Sequence, residues 1–341
     1  MAPGNPSYSF LIDRVIPIRR RSLQWRLGGR DMYRMAVVVA LFVIVAIPAV
    51  SAMSLDVALA LFDGGADPLI PYSDEGKVQL EGAIAAFETA VGVPSGFCYN
   101  TESAYMNLSI PQEKKNLVTK LAQCYYVLGD VFTKDKASVE AVFVRGRLWG
   151  LKSLRMDPTF ASTEKEKGFT AAVEQESDVA ALYWTCADWG RVDQYDKLAA
   201  IAHYDPPKLL ALIERALEVD DSYMVYGAYR VLAGFWGGFP KIPLVKYRQN
   251  LPRVLSYICC VVDASDYCGD IKCCPDARCD DYLENRRTFV TYYLLAKRMW
   301  QEAADVLSDI ISAEIGDDYP LYNAFAQHEA RDLLVEVKKH L

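Results

Sequence analysis

The 341-residue chain has three histidines: His203, His328 and His340. None stands at a spacing that suits metal ligation, and none accompanies a recognisable serine or cysteine nucleophile motif. Gly234-Phe-Trp-Gly-Gly238 lacks the preceding strand, the lysine and the spacing of a phosphate-cradling loop. The acidic pairs Asp220/Asp221 and Asp317/Asp318 fall in turns, and Asp280/Asp281 adjoins a cysteine-rich loop, so solvated carboxylates are the plain reading. No catalytic residue, no metal site and no cofactor is therefore expected, and the chain reads as a non-enzyme.

Cysteines and aromatics are more informative. Cys259, Cys260, Cys268, Cys273, Cys274 and Cys279 crowd into 21 residues. Their irregular spacing, with no histidine nearby, favours local disulfides over zinc, although the pairing does not follow from spacing. Nine cysteines is an odd number, so at least one is free or bonded to another chain. Cys98, Cys124 and Cys186 are isolated and are expected to be buried or to form one further bridge. Tyr183, Trp184 and Trp189 share one predicted helix, and Tyr226 and Trp236 belong to the next aromatic-rich hairpin. Such rings pack between helices or line a partly wet ligand groove, and on the second reading these five are the ligand-binding candidates. Asn323, Gln327 and Arg331 recur every fourth residue as one polar stripe. That stripe is either solvated, capping adjacent helix ends, or facing a partner.

Helices must position these groups. Apolar residues recur at helical spacing almost everywhere, and no alternating run calls for a sheet. The pattern predicts helices at 54–61, 75–91, 112–132, 136–156, 178–191, 206–219, 222–235, 251–262, 283–297, 299–313 and 320–340. Breakers such as Gly92-Val-Pro94, Asp157-Pro158, Asp205-Pro-Pro207 and Gly237-Gly238 separate them. Val91, Leu154 and Leu217 end similar helices 63 residues apart, close to two tetratricopeptide units of roughly 34 residues. An all-α, irregular superhelix of tetratricopeptide-like helical hairpins is the expected fold.

Charge divides the chain. Residues 1–52 hold seven arginines against Asp13 and Asp31, a net of +5, which leaves −12 for the rest of a chain of −7 overall. That acidic body argues against nucleic acid as a partner. Met35–Val50 is nearly all apolar and Ala49, Ser51 and Ala52 close the run, the order of a secretory signal cut after Ala52. An uncleaved anchor in the inner membrane is the alternative, since 21 uncharged residues can just span a bilayer. Either way the remainder is exported, and residues 1–31 look like an upstream extension of a signal that starts at Met32. The expected organisation is thus a leader at 1–52 and one helical domain at 53–341 with its cysteine-rich loop at 259–279.

Three segments carry a family resemblance: Ala180-Ala-Leu-Tyr-Trp-Thr-Cys-Ala-Asp-Trp-Gly190, Ile213-Glu-Arg-Ala-Leu-Glu-Val-Asp220 and Asn323-Ala-Phe-Ala-Gln-His-Glu-Ala-Arg-Asp-Leu-Leu334. In this order they resemble the T component of tetratricopeptide-associated tripartite ATP-independent periplasmic (TRAP) transporters, with Arg145-Gly-Arg147 to Pro158 as a further match. The resemblance runs from about residue 75 to the C-terminus. It implies a periplasmic accessory protein whose partner is the TRAP-type solute-binding protein. It also implies a small hydrophobic or organic ligand, and assembly as a homo-oligomer such as a trimer. The family assigns no catalytic residues. The cysteine segment departs from the family pattern, and there is no cysteine at the predicted cut for a lipid anchor. A different class of function, an exported scaffold for envelope assembly with no small-molecule ligand, fits the same helical pattern.

Overall fold

Local sequence sets the ends of most helices. Ser73 accepts a hydrogen bond from Gly76 N and starts α1 (Asp74–Val91). After α2 (Lys115–Val127), Asp135 accepts from Ser138 N and starts α3 (Lys136–Met156). The chain continues through α4 (Val179–Tyr195), α5 (Asp205–Val219), α6 (Tyr223–Gly238) and α7 (Leu251–Ile258). It ends with α8 (Leu283–Phe289), α9 (Trp300–Ser312) and α10 (Pro320–Val337). Prolines occupy the first turns of α5, α7 and α10, where a missing N–H is harmless.

This computed structural model describes residues 53–62, 67–195, 197–241, 246–269 and 278–341, which contain no strand. The chain divides into Met1–Ser51 and Ala52–Leu341, and the description concerns the second unit. The predicted leader and Cys273 and Cys274 lie outside the described residues. No helix among the described residues is long and apolar enough to cross a membrane.

The fold is all-α, and its hairpins stack in chain order. α3 lies along both α2 and α4, α4 packs on α5, α6 on α5 and α7, and α10 on α8 and α9. Val91, Leu154 and Leu217 do fall in the last turns of α1, α3 and α5. The 63-residue spacing, however, holds one pair of long helices and not the two 34-residue units expected. Long connections account for the difference, because they fold into short helices at Glu102–Met106, Pro158–Lys167 and Phe169–Val173. Pro158–Lys167 escaped the periodicity because only Phe160 and Thr163 of its ten residues are buried.

The hydrophobic core falls into two clusters, and α10 belongs to both. Leu321, Tyr322 and Phe325 join the cluster built on α1–α6, while Ala326, Ala330 and Val337 join the one built on α6–α9. The start of the described chain meets the same helix. Asp67 accepts hydrogen bonds from Leu321 N (2.9 Å) and Tyr322 N (3.2 Å), capping α10 from a loop some 250 residues upstream. The Tyr72 ring lies against Phe325 and His328.

The cysteines arrange as follows. Cys259 and Cys268 form a disulfide, and Cys260 and Cys279 are disulfide-bonded as well. Cys98, Cys124 and Cys186 are free; Cys124 and Cys186 are buried, whereas Cys98 is exposed, contrary to expectation, because it sits in the solvated turn after α1.

Candidate functional site

Where α2, α4, α5, α6, α8 and α10 converge they line a half-open cavity of about 190 Å³. Aromatic rings form part of its wall: Tyr126 from α2, Tyr183 and Trp184 from α4, Phe235 from α6, Tyr282 before α8, and Tyr322 from α10. Two wide π-helical turns face it, Leu128–Phe132 after α2 and Val290–Leu294 after α8, and they contribute Asp130 and Tyr292. Such turns displace side chains from the regular helical register and recur at binding sites. Exposed Gln194 and Lys197 mark the mouth.

Glycines of α6 let the tyrosines approach. A Cβ at Gly227 would lie 2.7 Å from the Tyr183 hydroxyl, and one at Gly237 would lie 2.8 Å from the Tyr292 ring. The motif Gly234–Gly238 thus forms the small-residue face of a helix. Inside the first turn of α6, Met224, Val225 and Tyr226 hold left-handed backbone angles, with φ of 54°, 52° and 58°. A β-branched residue is rarely found there, and such strain concentrates at functional sites.

Charged groups are set into this aromatic wall. Arg191 pairs with Asp130, and Arg287 pairs with Glu284 through two hydrogen bonds of 2.9 and 2.7 Å. Arg230 donates to the carbonyls of Val225 (2.5 Å) and Met224 (2.6 Å) and to Asn285 Oδ1 (2.9 Å), and it lies over the Tyr282 ring. Burial pushes the Tyr126, Tyr183, Tyr282 and Tyr322 phenols up, so they are neutral at physiological pH. Burial, reinforced by the nearby Asp205 carboxylate, pushes Asp193 up to about 7. Cys186 faces the cavity with its thiol donating to Leu209 O at 3.4 Å. Burial raises its titration, which keeps it a thiol and a poor nucleophile. The arrangement can hold and orient a small molecule; it offers no activated nucleophile facing an oxyanion site.

Of the five aromatic candidates, Tyr183 and Trp184 meet at the cavity. Trp184 Nε1 donates to the Tyr223 hydroxyl at 3.0 Å, and its ring packs on Tyr126 and Tyr183. Trp189, five residues on, turns away from the cavity and carries Arg147 and Lys208 over its ring. Tyr226 is buried beside Tyr229, and Trp236 lies under Arg253 at 4.4 Å; neither lines the cavity.

The stripe on α10 faces backbone. Asn323 Oδ1 accepts from Leu283 N, and its Nδ2 donates to Asp281 O and Ile315 O. Gln327 donates to Ala313 O at the end of α9, and exposed Arg331 reaches Gln327 at 3.4 Å. His328, Glu329 and Asp332 each bring a donor atom within 4.8 Å of the others on the same helix, a grouping that the expectation about histidine spacing had passed over.

Sequence reading missed the cavity arginines and Tyr126, Tyr282 and Tyr322. Their one signal is local: Arg230 is the single charged residue of an otherwise uncharged helix, where a charge needs a reason to be.

Comparison with curated proteins gives no match. Residues 106–242, which run from the end of the short helix Glu102–Met106 through α6 and contribute most of the cavity wall, match the family model of the TRAP transporter T-component, a transporter accessory family.

Proposed function

We propose that this protein is a periplasmic accessory component of a TRAP-type transporter: it docks the extracytoplasmic solute-binding protein and shelters a small organic ligand in its central cavity. The observation that carries the reading is the position of the cavity, since most of its wall comes from the stretch matched to the T-component family. Tyr183 and Trp184 are the ligand-facing members of the five aromatic candidates; Trp189, Tyr226 and Trp236 hold the helices that carry them. The leader supplies export, and energy for transport comes from the membrane subunits. Assembly as a homo-oligomer follows from the same resemblance, with light scattering as its check.

Gly190 offers a clean test of the ligand role. It lines the cavity, and a Cβ placed there would meet nothing within 4 Å. Gly190→Leu should therefore fill space without displacing wall residues. A neutral arene, benzyl alcohol, should bind the wild type saturably, read by calorimetry and tryptophan emission. It should bind Gly190→Leu at least tenfold more weakly at unchanged melting temperature. Equal binding by both proteins would remove the cavity from the account.

A further inference from the structure

We propose that the cavity is built for an anion: a small aromatic monocarboxylate whose carboxylate meets Arg230 and whose ring lies among Tyr126, Tyr183 and Trp184. This inference rests on the reading of the cavity as a ligand chamber and names the class of ligand.

The charge pairing points to Arg230. Seven charged side chains line the cavity: Asp130, Arg191, Asp193, Lys197, Arg230, Glu284 and Arg287. Asp130 is taken by Arg191 and Glu284 by Arg287. The charged groups that act on Asp193 are Asp205, Arg147 and Lys208, from outside the cavity lining. Lys197 sits at the mouth, donating to Gly238 O at 2.8 Å. Arg230 makes direct contacts to neutral groups, two backbone carbonyls, the Asn285 amide oxygen and the Tyr282 ring, and Glu284, already bonded to Arg287, acts on it only through space. A guanidinium partly withdrawn from water without a bonded carboxylate carries a cost, and an entering carboxylate offsets it.

Its geometry suits the task. Of five guanidinium N–H groups, three go to Val225, Asn285 and Met224. Tyr183 and Arg230 both line the cavity. A carboxylate would thus meet the two remaining N–H groups, with the Tyr183 hydroxyl of the same wall as a further donor. The left-handed turn at Met224–Tyr226 has a role here too, because it turns the Met224 and Val225 carbonyls onto Arg230 and fixes the guanidinium.

Size selects the ligand body. A dry cavity of roughly 150 Å³ holds a benzene ring. At about 190 Å³ this one has room for a ring and a carboxylate, and the Tyr126, Tyr183 and Trp184 rings of its wall offer edge and face contacts to an arene. Lys197 at the mouth attracts an approaching anion.

The test titrates the full chain with benzoate and, separately, with benzyl alcohol, a neutral molecule of nearly the same shape. Benzoate should bind about tenfold or more tightly, the worth of a charge-assisted hydrogen bond. Arg230→Gln should abolish the preference while retaining benzyl alcohol binding, and Arg230→Lys should keep part of it. Should Arg230→Gln fail to fold for want of its bonds to Met224 and Val225, the wild-type preference and Arg230→Lys still decide. Benzyl alcohol bound as well as benzoate would overturn the anion site and leave the chamber standing. A preference that survives intact in Arg230→Gln would overturn the assignment to Arg230. No binding of either compound would overturn the chamber and this inference together.

Discussion

Replacing Asp67 with asparagine should make the protein more stable in mild alkali, because of how Asp67 closes the chain. Its carboxylate is 1% exposed and accepts from the first two turn N–H groups of α10, while its other oxygen has no partner. Burial outweighs those two bonds and, with Glu284 nearby, pushes the carboxyl up from 3.8 to about 7. The folded state therefore holds a proton that the unfolded state has released over that range. Stability from this group is fully present below about 3.8 and is lost as the pH rises through about 7. The whole shift from 3.8 to about 7 corresponds to about 4 kcal/mol, of which on the order of 2–3 kcal/mol falls between roughly pH 5 and 8.5. Asparagine keeps an oxygen for the Leu321 and Tyr322 N–H groups and carries no charge. Urea unfolding of both proteins across this range should show wild type falling behind Asp67→Asn as the pH rises. Asp193 and other carboxyls titrate in both proteins, so the difference isolates Asp67. Parallel stability profiles, or an asparagine variant that loses ground above pH 7, would refute the reasoning.

Four further outcomes follow from the packing and the disulfide. Asn323→Ala strips the partner from Leu283 N and from the carbonyls of Asp281 and Ile315, and should cost roughly 2–4 kcal/mol in urea unfolding; a negligible loss would mean the stripe is merely solvated. Gly146→Ala places a Cβ 2.2 Å from Asp188 Oδ1 across the α3–α4 contact and should lower stability by about 1–3 kcal/mol. Gly190→Ala, with open space before it, should instead be neutral or stabilising by up to about 1 kcal/mol, with urea unfolding of both glycine variants as the check. Removing the Cys259–Cys268 disulfide with a double alanine substitution should cost roughly 2–3 kcal/mol, the loop-closure entropy of a short ring, read from unfolding under non-reducing conditions.

Helical periodicity, caps and prolines made the long helices readable in the sequence. Lys136–Met156 appears with the bounds its pattern implies, because Asp135 caps one end and Asp157-Pro158 closes the other. The short polar helix Pro158–Lys167 was not readable, having almost no apolar face to reveal it. The repeat misled for a related reason: spacing between helix ends counts residues, not the short helices folded into the connections. At the cavity, aromatic clustering pointed to Tyr183 and Trp184. It could not separate them from Trp189, since residues five apart on a helix point in different directions. Arg230, Tyr282 and Tyr322 come together only through contacts between α6, α8 and α10, and tertiary closure of that kind leaves no periodic trace.

The central claim is that this helical stack serves a transporter by holding its solute-binding protein. Calorimetric titration of the purified full chain with the purified TRAP-type solute-binding protein from the same genome tests it most directly. A saturable complex at micromolar concentration or below, with fixed stoichiometry, is the predicted result. No heat and no co-elution across low and physiological salt would contradict it.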